Sequence, residues 1–137
     1  MVSDAREAYV RAARIRHPGL RFECDSAESR AAAAGAFDVV MVSAVLHHLD
    51  DGEARRLLAM AHESLRPGGR LVTLDPCRVP GQSPVARWLM DRDRGLHVRS
   101  KDGYLGIVRE VFPQVVVTLR SDLLRIPYTH VILECAR

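Results

Sequence analysis

Apolar residues recur along the chain at helical spacing in some stretches and as short continuous runs in others. Between Asp4 and His17, Ala5, Ala8, Ala12 and Ile15 fall on one face with arginines opposite. This predicts a helix capped by Ser3 or Asp4 and ended by His17-Pro18-Gly19. Leu20–Cys24 reads as a short strand closed by Asp25 and Ser26. Phe37–Val42 is nearly continuous apolar and β-branched, which predicts a strand buried on both faces as in a parallel sheet. Asp50 and Glu53 then have capping-box spacing, and Ala54, Leu57, Leu58, Ala61 and Leu65 form a helix stripe. Pro67-Gly68-Gly69 is expected to stop that helix, with glycine in the left-handed C′ conformation.

Arg70–Leu74 reads as a second buried strand running into Asp75-Pro76. A short helix is predicted over Pro84–Met90, with Ser83 as cap and Pro84 at its first position. Tyr104, Ile107, Val108 and Val111 form a further helix stripe ended by Pro113. Val115–Arg120 and Thr129–Cys135 are strand-like, and the segment between them is too short for a helical crossover, so they should pair antiparallel. Alternation of this kind predicts an α/β fold, a three-layer sandwich, in a single domain.

Composition narrows the partners. With 137 residues, 47% of them hydrophobic, and a formal charge of +3, a core can form and no basic stripe marks a nucleic-acid interface. No apolar run reaches the roughly 20 residues of a membrane span. Cys24, Cys77 and Cys135 are scattered and odd in number, which gives neither a disulfide framework nor a metal site and suits a reducing cytoplasm. No metal ligand set is expected.

The ordered pieces Phe37-Asp38-Val39-Val40, Ser43, Val45-Leu46-His47-His48-Leu49 and Leu65-Arg66-Pro67-Gly68-Gly69-Arg70-Leu71 resemble the class I S-adenosylmethionine-dependent methyltransferases of the small-molecule type. The resemblance covers essentially the whole chain. It implies a Rossmann-like sheet of order 3-2-1-4-5-7-6 with strand 7 antiparallel. Leu20–Cys24 would be its third strand, Phe37–Val42 its fourth and Arg70–Leu74 its fifth. The first two strands would be missing, leaving the third without its neighbour, and the chain would be an N-terminally shortened domain. The glycine-rich turn that wraps the cofactor's methionine part does not occur in the sequence, and the acid that holds the ribose hydroxyls is expected to be absent too.

The resemblance also implies roles for single residues. Asp25 matches the acid beside the adenine amino group, with Ser26 and Ala27 along the ring. Ser43 and His47 match positions near the methionine and sulfonium. His48 and Asp75 match the acceptor side and are the candidate catalytic pair, and residues 77–100 would cover the acceptor. Each has a plainer reading. Asp25 can be a turn residue, one histidine can be loop packing, and Asp75 can be a strand terminator. Trp88, Leu89 and Met90 can line an acceptor pocket or simply pack, whereas Tyr104 and Tyr128 read as core. A His with pKa near roughly 6.5 can take a proton from an acceptor oxygen or nitrogen.

Two functions follow. One is methyl transfer from S-adenosylmethionine to a small-molecule acceptor, weak or absent in the shortened chain. The other is a non-catalytic binding module that needs a complementing chain or a second copy. A chance match to an unrelated α/β domain is the remaining possibility.

Overall fold

The computed structural model describes residues 2–4, 7–20, 22–24, 34–92 and 95–137. They fall in two compact units, Met1–Ala33 and Ala34–Arg137.

In the first unit, β1 (Val2–Asp4) is followed by α1 (Glu7–Arg16) and β2 (Phe22–Cys24). β1 and β2 pair in parallel, with Val2 opposite Phe22 and Asp4 opposite Cys24. One expectation about the sheet is corrected here. The strand in the third position does have a neighbour, the short β1. A three-residue strand is too short to show a period, so nothing in the pattern marked it. The inward face of α1 also differs, because Ala8, Ala12 and Ile15 are exposed and Val10 is the buried residue. On a helix made largely of alanine and arginine, small apolar side chains set its orientation only weakly.

The second unit contains β3 (Phe37–Ser43), α2 (Asp51–Ser64), β4 (Leu65–Pro76), α3 (Pro84–Asp91), α4 (Lys101–Arg109), β5 (Gln114–Arg120) and β6 (His130–Ala136). The sheet order is β3-β4-β6-β5, with β3 and β4 parallel and β6 antiparallel to both its neighbours. The capping box forms as the sequence predicts. Glu53 N–H donates to Asp50 Oδ1 at 2.8 Å, and Asp50 N–H donates to Glu53 Oε2 at 3.0 Å. Ser83 caps α3 by accepting from Ala86 N–H at 3.1 Å, with Pro84 at the start.

α2 does not run to Pro67. It ends at Ser64, and the chain passes directly into β4 through Leu65. Leu65 pairs with Phe37 and Arg70 with Val39, so the residues between bulge out of the ladder. Gly68 takes φ +79° in that bulge rather than at a helix C′.

The core lies on one face of this sheet. Val42, Leu71, Val131, Leu133 and Cys135 meet Ala54, Leu58 and Ala61 of α2 and Tyr104, Ile107 and Val108 of α4. Each fully buried aliphatic here contributes roughly 1.5–3 kcal/mol. Tyr104 and Tyr128 are buried, as their sequence context predicts. The alternate residues point the other way, and Val39, Met41 and Val116 are 59%, 64% and 64% exposed. β3 is therefore buried on one face, not on both. Among the described residues of this unit, α2 and α4 both pack on the core face.

Candidate functional site

The parallel strands β3 and β4 end side by side, and the chemistry gathers at those ends. β3 closes on Ser43, which is exposed. Ala44 follows at φ +55°, a left-handed conformation unusual for a residue with a β-carbon. It is held there by donation from its N–H to Leu74 O at 2.7 Å. The sharp corner turns the chain into a one-turn 3₁₀ helix, Leu46–His48. Leu46 and His47 are buried, whereas His48 faces solvent.

β4 ends on Asp75, whose side chain is wholly buried. One of its carboxylate oxygens, Oδ1, accepts the His47 backbone N–H at 3.1 Å and stands 2.9 Å from His47 Nδ1. A buried carboxylate is costly unless it has a charged or hydrogen-bonding partner. His47 supplies two such contacts to one oxygen. The other oxygen, Oδ2, has no partner, and Thr73 Oγ1, two residues earlier on the same strand, is likewise buried and unpaired. Nδ1 is the ring nitrogen engaged by Asp75, which leaves Nε2 uncommitted to that carboxylate. The His47 and His48 rings lie 4.0 Å apart at 40°.

A second segment closes over this turn. His97 N–H donates to His47 O at 3.0 Å, and the Gly95 backbone lies against the His47 ring. The Arg99 guanidinium donates to Leu46 O, Leu49 O and His97 O and pairs with Asp51. Tyr104 Oη donates to Pro76 O at 2.9 Å, holding the strand end from the other side. Burial holds the His130 imidazole below its ordinary range, while the Asp75 charge acts to raise it and His47 to lower it.

The structure thus joins His47 and Asp75 directly and sets His48 beside them, with Ser43 at the neighbouring strand end. Asp25, Ser26 and Ala27 lie outside the described residues. Trp88 is half-exposed beneath the Arg92 guanidinium at 4.3 Å, whereas Met90 is buried. Gly95, Arg99 and His130 were not singled out by the sequence. Their roles depend on long-range contacts that leave no local pattern. Among the described residues, no group of three or more His, Cys, Asp or Glu could hold a metal ion, and no helix is long and apolar enough to cross a membrane.

Parallel strands with polar ends at a sharp turn, continued by an antiparallel pair, define an α/β fold of the kind that binds nucleotide-like cofactors at its carboxyl edge. The chain belongs to the methyltransferase-domain family, whose profile matches residues 1–69, just over half of the 137. Its fold is that of the class I S-adenosylmethionine-dependent methyltransferases. A Thermotoga maritima protein described as a SAM-dependent methyltransferase, possible histamine N-methyltransferase, superposes with TM-score 0.76 at 18% identity, covering 98% of this chain and 71% of its own. The N-methyltransferase NodS of Bradyrhizobium japonicum, solved with S-adenosyl-L-homocysteine, gives TM-score 0.71 at 19% identity, covering 99% and 65%. The cyclase SpnF gives 0.72 at 16% identity, covering 98% and 64%. The chain therefore spans about two-thirds of the length of these structures. No curated protein sequence matches it.

Proposed function

We propose that this chain carries out methyl transfer from S-adenosylmethionine to a small-molecule acceptor bearing a hydroxyl group, with His48 as proton acceptor and Asp75 acting through His47. The observation that carries this reading is the sealed Asp75–His47 contact directly behind an exposed histidine. The bound cofactor supplies a methyl group already activated on a sulfonium, so the protein's task is alignment. A base helps when the acceptor must lose a proton, and a hydroxyl must. His48 is the ring open to an acceptor. Asp75 does not touch the acceptor; it holds the His47 ring against which His48 packs.

Family resemblance is the support for assigning Asp25, Ser26 and Ala27 to the adenine, the acid Asp4 to the ribose, and Ser43 and His47 to the methionine side. The glycine-rich turn for that side is not in the sequence, and we expect weak turnover from the 137 residues alone. Buried Cys77 and Cys135 are free thiols, pushed up to about 11 and about 12 by desolvation and so inert as nucleophiles.

The test is incorporation of tritiated methyl groups into a panel of hydroxyl and amine acceptors. Transfer to a hydroxyl acceptor should fall about a hundredfold in His48→Gln. Transfer that is unchanged in His48→Gln, or confined to amines, would overturn the reading. A cyclase on the same fold shows why the reaction must be argued from the site.

The exposed Val39 and Met41 support a second reading, a non-catalytic module completed by another chain or a second copy at the open edge of β3. It calls for concentration-dependent assembly in size-exclusion chromatography without cofactor binding. Micromolar affinity of the lone chain for S-adenosylmethionine would exclude it.

A further inference from the structure

The histidine turn has no regular element to hold it. It begins after a left-handed alanine, lasts three residues, and receives no side-chain cap at its start. Asp75 and His97 meet its middle at His47, and what ties its two ends together comes from a residue about fifty positions further on. Arg99 Nη1 donates to Leu46 O at 2.8 Å, and Nη2 donates to Leu49 O at 2.8 Å. These two carbonyls bracket His47 and His48. The remaining donors reach His97 O at 3.1 Å and Asp51 Oδ1, which Nε meets at 3.1 Å and Nη2 at 2.8 Å. One planar cation thereby ties together both ends of the turn, the first turn of α2 and the segment that covers His47. Its side chain is only 11% exposed, so these bonds compete little with water.

We infer that Arg99 is a positioning residue for the histidine pair. It sets the path of Leu46–Leu49, so that His47 meets Asp75 and His48 projects outward. The inference rests on the functional reading only for the purpose of the turn, because the geometry it invokes is independent of any reaction. A guanidinium is suited to this work because its five donors lie in a rigid fork and reach several carbonyls at once. A lysine presents a single centre and can hold one end of the turn but not both.

The experiment is proton and nitrogen NMR of the histidine side chains in the full 137-residue chain. In the wild type, His47 Nδ1–H should give a downfield, slowly exchanging signal held by Asp75. Asp51→Asn leaves the carbonyl contacts in place and should keep that signal. Arg99→Gln should lose it or speed its exchange about tenfold or more, since hydrogen bonds from a charged donor are given up. Arg99→Lys should lie between the two. Amide signals of β5 and β6 report separately on the fold. If Arg99→Gln does not fold, the Arg99→Lys exchange rate decides.

An unaltered His47 signal in folded Arg99→Gln, or in Arg99→Lys if that is the variant that folds, would overturn the inference. Absence of the downfield proton from the wild type would instead remove the Asp75–His47 pair itself, a different failure. Failure of methyl transfer with the NMR pattern intact would sink the functional reading and leave Arg99 in place.

Discussion

The Gly95 backbone lies so close to the His47 ring that a β-carbon at residue 95 would stand 2.1 Å from Cδ2 and 2.9 Å from His47 O. Glycine is needed there for approach, not for an unusual φ. Gly95→Ala must therefore push the covering segment away from the turn or displace the ring from Asp75. The expected cost is about 1–3 kcal/mol in urea unfolding followed by circular dichroism, as for other overpacked sites. Unchanged stability would mean that the segment does not rest on His47.

His130 gives a pH dependence of defined sign. Burial lowers its folded pKa below the ordinary 6.5, so the unfolded chain binds its proton more readily. Its contribution to stability is complete above about 6.5 and is lost as pH falls through the lowered folded value. The stability difference between wild type and His130→Gln should be level above about pH 7 and shift against the wild type on acidification. A shift of the opposite sign would contradict the assigned environment, in which burial outweighs the Tyr128 backbone contact and the Asp75 charge.

The two faces of the sheet should respond differently to substitution. Leu58 is fully buried, and Leu58→Ala is expected to cost about 2–5 kcal/mol. Met41 is 64% exposed, and Met41→Gln should fall within about 0.5 kcal/mol in the chain by itself. Parallel urea titrations check both. A large loss at Met41 would show that its face is covered in solution.

The second unit was mostly legible in the sequence. Continuous β-branched runs at Phe37–Val42 and Arg70–Leu74, the Asp50/Glu53 box and the Ser83-Pro84 start each encode their element locally, and the structure keeps all four. The exposure of Val39 and Met41 was not legible, because an apolar strand looks the same whether one face or two are covered. Ser3 and Asp4 were read as helix caps because a strand of three residues has no period. Within the site, the adjacency of His47 and His48 was visible. Which of them is buried was not, since that depends on Asp75, twenty-eight positions away, and on Gly95 and Arg99 beyond it.

The most direct measurement is calorimetric binding of S-adenosyl-L-homocysteine to two proteins: the 137-residue chain, and the same chain carrying at its front a strand and a glycine-rich turn of the kind that cradles nucleotide-like cofactors. The account expects weak binding by the first and at least tenfold tighter binding by the second, with Asp4→Ala weakening the second. Equal affinity in both proteins, or indifference to Asp4→Ala, would contradict it.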